Sequence, residues 1–261
     1  EDEVLRSYFS NGCGPLVFVG DSMVMTVAKA LRKLPPKVAA AVTDSPWSDL
    51  FQKLCEGGLT PSNTMPFRPW QIWEYAGELN KTLPEDAKRN LESVWTLQAT
   101  QHRRIEFIQE LIAKKRDRKL AVFGDEHWRG FLNGGSASID IFPPVDYYRQ
   151  LPFIYGHAGA VINLTGFQMP SGLNQRCYDV PAAGGFLLTD QRDALKEQFD
   201  PGINIVEFQS VEDLLEKWSY YSGHPEVYQE VIRQGRRRIV EQHTYRHRVR
   251  EMLSKATTWF L

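Results

Sequence analysis

Ser171, Gly172, Asn174 and Arg176 fall within one short stretch and together carry what an anion needs. Ser171 and Asn174 bring side-chain donors, Gly172 lets a ligand approach the backbone, and Arg176 adds a planar cation. Leu173, among them, opens a run of helix length that ends at Ala183. A helix starting there would point its free N–H groups and the positive end of its dipole at the same spot. The chemistry implied is the holding of an anion, with a surface ion pair as the alternative role for Arg176.

Three other clusters carry reactive groups. Gly20-Asp21-Ser22 follows the apolar run from Pro15, as the nucleophile block of SGNH-type esterases follows a strand. In that chemistry Ser22 attacks an acyl carbon, activated by a histidine and its aspartate. Such enzymes need a late Asp-x-x-His, and none of the six histidines has Asp three positions before it. The sequence favours a strand-end turn, with Ser22 capping the next helix. Gly124-Asp125-Glu126-His127 sets two carboxylates and an imidazole at a second strand end, where a hydrogen-bonded structural histidine is preferred over a base. His243 and His247 stand four apart, a spacing that could hold a metal on one helix. No carboxylate completes an HExxH pattern, so no metal site is expected.

These groups need strands to carry them. Apolar runs of strand length occur at 15–20, 119–124, 138–142, 160–165, 185–189 and 204–208. Helical stretches separate them, and the runs lack clean alternation, which argues for a parallel sheet buried on both faces. In a parallel sheet all carboxyl ends share one rim, so Gly20, Gly124, Pro144, Gly166 and Asp190 should gather there. From about 38 to 115 the strand signal gives way to a mostly helical insertion. Val38–Val42 fits strand or helix, Trp47–Cys55 and Gln71–Leu79 have helical spacing, and Ala87–Lys115 is long and periodic. Trp70, Trp73 and Trp95 read as core or as a sugar-stacking platform. Ser210 should cap a helix from Val211, and 226–259 should be helical and basic.

Composition excludes several classes. The 261 residues can bury a full core, and 42% hydrophobic with 24% charged residues is ordinary for a globular protein. A formal net charge of -1 gives no global field to recruit nucleic acid. Cys13, Cys55 and Cys177 share no CxxC spacing, which suggests reduced thiols and a cytoplasmic location. No apolar run reaches transmembrane length. The sequence begins at Glu1 rather than Met, consistent with processing or with a lost upstream domain.

The run LNQRCYDVPAAGGFLLTD, from Leu173 to Asp190, resembles the signature of the CgeB-like glycosyltransferases, and FDPGINIVEF, SVEDLLEKW and EQHTYRHRV continue the likeness. It extends over roughly 119–252 and returns more weakly at LVFVGDSM. The resemblance implies a Rossmann-like α/β domain, the donor-binding half of a GT-B enzyme, taking a sugar from a nucleotide diphosphate sugar without a metal or other cofactor. An N-terminal acceptor domain would lie outside this sequence, leaving the catalytic base unassigned. The anion at Ser171, Gly172, Leu173, Asn174 and Arg176 would be the diphosphate. Many GT-B enzymes bracket this helix with Glu-x7-Glu. Asp179 occupies the second position and would accept from the ribose hydroxyls, while Ser171 replaces the first glutamate. The base would lie at Pro144-Val145-Asp146-Tyr147, with Gly20, Ser22, Gly124, Asp125 and Gly166 lining the rim. The missing glutamate also allows a catalytically silent nucleotide-binding module, with the helical insertion as its contact surface.

Overall fold

The computed structural model describes residues 2–10, 14–43, 81, 83–115, 119–132, 139–169 and 172–260. Six parallel strands form one sheet: β1 (Leu16–Val19), β2 (Leu120–Phe123), β3 (Ile139–Phe142), β4 (Ala160–Asn163), β5 (Leu187–Asp190) and β6 (Val206–Phe208). Their order across the sheet is β3-β2-β1-β4-β5-β6. All six coincide with expected strands, five lying within the expected bounds and β5 running one residue past them to Asp190. Register is continuous across the middle, with Leu16 opposite both Leu120 and Ala160, and Phe18 opposite both Val122 and Ile162.

Alternation along each strand divides the core. Leu16, Phe18, Leu120, Val122, Ile162 and Leu188 face one side, while Val17, Ala121, Phe123, Val161 and Leu187 face the other. Each face needs helices to exclude water. The first is covered by α4 (Glu85–Lys114), α5 (Trp128–Leu132), α9 (Val211–Gly223) and part of α10 (Pro225–Gln242), through Phe107, Ile108, Trp128, Leu214, Trp218 and Val231. The second is covered by α1 (Asp2–Phe9), α6 (Leu151–His157), α7 (Arg176–Ala182) and α8 (Asp193–Gln198). This is a Rossmann-like α/β domain. Ser210 caps α9 as expected, its Oγ accepting from Asp213 N at 3.1 Å.

Of the insertion expected over 38–115, α2 (Val24–Leu31) precedes it, and α3 (Pro36–Thr43) and α4 are its described parts. Residues 44–80, with Trp70 and Trp73, lie outside the described residues. Val38–Val42 is helical, within α3. α4 has 30 residues, roughly 45 Å at helical rise, whereas the strand beside it has four, about 13 Å. The helix therefore overshoots the sheet. Phe107, Ile108 and Leu111 pack on the strands, and Leu91, Val94 and Trp95 form a separate cluster with Leu34 and Val38. Trp95 is core, which excludes it as a stacking platform. Between the two apolar zones the buried face of α4 turns polar at Thr96, Thr100 and Arg103, where it passes the carboxyl rim.

Two helical expectations need correction. The run from Leu173 forms a helix only from Arg176, because Cys177 N and Asp179 N find Asn174 O and Gln175 O as their first acceptors. The basic tail is two helices, α10 and α11 (Tyr245–Phe260), broken at His243-Thr244.

Candidate functional site

The strand order reverses between β1 and β4, so their onward chains part to opposite faces and open a crevice at the carboxyl rim. Ligands of open parallel sheets bind at such a point. One wall is the turn Gly20-Asp21-Ser22. Gly20 O accepts from the indole Nε1 of Trp128 at 2.8 Å, and a Cβ on Gly124 would stand only 2.4 Å from that oxygen. Ser22 is fully buried and donates both N and Oγ to Asp125 Oδ2, at 2.9 and 3.0 Å. His127 N donates to Asp125 Oδ1 at 3.2 Å. Asp125 thus ties the turns after β1 and β2 together. The Ser22 hydroxyl is committed to a carboxylate within the protein, which removes the esterase reading. Met23 holds the cap position of α2 at φ 70 without a side-chain bond, and Ser22, one residue earlier, accepts from the first N–H of the helix, Val24 N, at 3.4 Å.

Arg176, the first residue of α7, lies against Gly20. Its Nη2 is 3.4 Å from where a Gly20 Cβ would stand, and its Nη1 is 3.4 Å from the Oδ1 of buried Asn163 at the end of β4. Asn174 Nδ2 donates to that same Oδ1 at 2.7 Å. Arg176 Nε is shielded from solvent with no partner, and among the described residues Arg176 makes no ion pair with a carboxylate. Among the described residues no salt bridge, surface or structural, holds it. Gly172, Leu173 and Asn174 are loop rather than first helical turn, and Leu173 packs on the second core. Ser171 lies outside the described residues.

Sequence reasoning placed Asp190 on the rim but missed the arginine cluster through which it holds the other wall. Asp190, at the end of β5, is fully buried. It accepts from Arg103 Nη2 at 3.0 Å, Arg192 Nε at 3.1 Å, and Thr165 N and Oγ1 at 3.0 and 2.9 Å. Both arginines also donate to Thr165 O, each at 3.0 Å. Burial lowers the pKa of Arg103 and Asp190 raises it again; burial is the larger effect. Phe167 N donates to Thr100 Oγ1 at 3.0 Å, so the loop carrying Gly166 is fastened to α4 at two places. Next to Arg103, half-buried Arg104 donates Nη1 to Asp21 O at 3.1 Å, while its Nε is shielded without a partner. Burial, then the nearby Arg176, push the Arg104 guanidinium down to about 10. The polar interruption Thr96-Thr100-Arg103 in an otherwise apolar helix face is the signal that could have found this cluster.

Asp179 does not stand free on its helix. Tyr147 OH, in the loop after β3, donates to Asp179 Oδ2 at 2.5 Å, and that acceptor raises the phenol's pKa. Tyr147 and Tyr148 are exposed, so neither is a core residue. Below them Pro144 and Val145, with Phe123, Phe142 and Leu5, line a hollow of about 250 Å³. The loop's form comes from Asp146, whose Oδ1 accepts from Tyr148 N and Arg149 N at 3.0 and 2.7 Å.

His243 and His247 do not share a helix face. His243 sits in the break, its Nε2 3.0 Å from Gln198 O and its Nδ1 2.9 Å from Arg248 Nη2, while His247 Nδ1 meets Thr244 Oγ1 at 2.6 Å. No cluster of three metal-ligating side chains occurs among the described residues. No described helix is long and apolar enough to cross a membrane.

A family model described as "Glycosyl transferase-like" matches residues 103–254. That span runs from the arginine holding Asp190, through the crevice, to the last helix. Among solved structures, the one titled "Crystal Structure of TarM" matches with a TM-score of 0.45 at 10% identity. The match covers 57% of this chain and 31% of that chain. No curated protein sequence matches.

Proposed function

The chain belongs to the glycosyl transferase-like family, and on that premise we propose that it binds a nucleotide diphosphate sugar and passes the sugar to an acceptor hydroxyl. The reading is the donor-binding half of a GT-B enzyme, of the CgeB-like kind. Arg176 is the observation that carries it. A guanidinium without a carboxylate partner among the described residues, placed where the strand order reverses, is an anion site awaiting its anion. The diphosphate lies across Gly20, Gly172 and Asn174 against Arg176. The ribose hydroxyls donate to Asp179, whose Oδ2 the Tyr147 phenol now occupies. The base enters the hollow beside Pro144 and Val145.

In the transfer, the bond from the anomeric carbon to the β-phosphate oxygen breaks and its electrons leave with the phosphate. The acceptor oxygen forms the new bond and releases its proton. Arg176 stabilises the charge gathering on the diphosphate, a role that needs no metal.

Calorimetric titration with UDP, GDP, TDP and ADP tests the donor site. One of them should bind, and no heat with any at millimolar ligand would refute the reading. Asp179→Asn should weaken the diphosphate and the corresponding monophosphate by similar factors, since both carry the ribose. Arg176→Ala should weaken the diphosphate far more. A lost charge-assisted hydrogen bond is worth about 1.5–3 kcal/mol, on the order of tenfold to a hundredfold in affinity.

A further inference from the structure

We infer that Arg104, supplied by the long helix α4, is a second phosphate-binding residue, and that it and Arg176 clamp a diphosphate between them from opposite faces of the sheet. The inference rests on the donor reading above and adds a residue from a different element. α4 packs on one face of the sheet and α7 on the other, through Phe107 and Ile108 in the first core and Cys177 and Val180 in the second. Their arginines nevertheless converge on adjacent residues of one turn. Arg104 Nη1 donates to Asp21 O at 3.1 Å, and Arg176 Nη2 lies against Gly20.

The two cations are close enough that Arg176 disfavours the charge on Arg104. Neither makes an ion pair among the described residues, and both keep a shielded Nε with no hydrogen-bond partner. The contrast with Arg103 and Arg192 decides the interpretation. Those two pair with one buried carboxylate, so the difference lies in the ion pair and not in the shielded Nε, which Arg103 shares. Arg104 and Arg176 repel each other across the crevice; Asp21 and Asp190 attract Arg104 from a distance, but no described carboxylate forms an ion pair with either arginine. Two cations that meet only neutral acceptors among the described residues are neutralised when a ligand brings two negative charges between them. A diphosphate does so, with one phosphoryl group for each guanidinium.

The turn beneath has been prepared for such an approach. Gly20 has no side chain to stand between the cations, and Asp125 holds the backbone from below through Ser22. Asp21 contributes its carbonyl to Arg104, and its carboxylate is beyond ion-pair distance. The clamp therefore depends on α4.

Inorganic pyrophosphate and orthophosphate are the probes, titrated calorimetrically into the wild-type chain, Arg104→Ala and Arg104→Gln. Pyrophosphate affinity should fall tenfold or more in both variants, and orthophosphate affinity by less than about threefold, because one remaining cation suffices for one phosphate. Arg104→Gln removes the charge but keeps part of the stem and an amide donor, so it reports on the cation even where the alanine variant folds poorly. The ligand-free melting temperature should stay level or rise, since one of two repelling charges has gone; a purely structural arginine would lower it. Pyrophosphate affinity within twofold of wild type in Arg104→Gln overturns the inference while leaving nucleotide binding through Arg176 and Asp179 intact. Wild-type chain that binds neither pyrophosphate nor any nucleoside diphosphate overturns both.

Discussion

Arg103 and Arg104 are adjacent in sequence and point about 100° apart around their helix, which gives them opposite surroundings. Arg103 goes down to a fully buried carboxylate, and Arg104 goes across to the β1 turn. Cys177 shows the same dependence on position. It is free and fully buried beneath Arg176, and burial pushes its thiol from 9.0 up to about 12. The unfolded chain can then ionise this thiol at a pH where the folded chain cannot. The contribution to stability is complete below about pH 9 and is lost as pH rises from there toward 12. Urea melts at pH 8 and 10.5 should show a smaller loss in Cys177→Ala than in wild type. Equal losses would mean that the thiol ionises as freely in the folded state as in the unfolded one.

At the scale of elements, α4 does two jobs because it is longer than the strands it covers. Its last turns bury Phe107, Ile108 and Leu111 on the sheet, and its polar middle fastens the loop after β4. Asp190→Ala would leave Arg103 and Arg192 buried without their anion and release Thr165. Breaking a buried pair in this way costs about 3–5 kcal/mol, read as a lowered urea midpoint. Arg103→Leu should cost less, because Arg192 still neutralises Asp190. If the two substitutions cost the same, the carboxylate depends on Arg103 alone. The turns after β1 and β2 are coupled as tightly. Gly124→Ala would drive a methyl group to 2.4 Å from Gly20 O, and overpacking of this kind costs roughly 1–3 kcal/mol. Because Gly20 forms the crevice floor, that variant should also bind nucleoside diphosphate more weakly. Unchanged affinity would separate the two turns.

The whole molecule joins both faces of one sheet at a single rim. Loops from β1, β4 and β5 meet there, with α4 arriving from one side and α7 from the other. A ligand spanning that rim touches elements far apart in sequence, so its binding should oppose global unfolding rather than local fraying. At a hundredfold excess over the dissociation constant, the linked stabilisation is about 2.7 kcal/mol. Amide exchange of β1, β4 and β5 should slow together on adding the nucleoside diphosphate. Protection confined to α7 would indicate a local contact instead.

The six strands and their parallel arrangement were readable in the sequence, because apolar runs of strand length and turn residues are local signals. Ser210 announced the start of α9 for the same reason. The likeness of Leu173–Asp190 to a known signature pointed to Asp179. Three things were decided only by tertiary structure. The Ser22 hydroxyl is engaged by Asp125, 103 residues away, a partner that no local pattern around Ser22 announces. The metal-like spacing of His243 and His247 vanished in a helix break whose contacts come from Gln198 and Thr244. Arg103 and Arg104 carried no signal of their own within a long, charged, periodic helix. Only the crossover that lays α4 past the end of a four-residue strand brings one against Asp190 and the other against Asp21. Sequence carries short-range periodicity; which charge meets which across 80 or 90 residues depends on where the sheet ends, and no local pattern records that length.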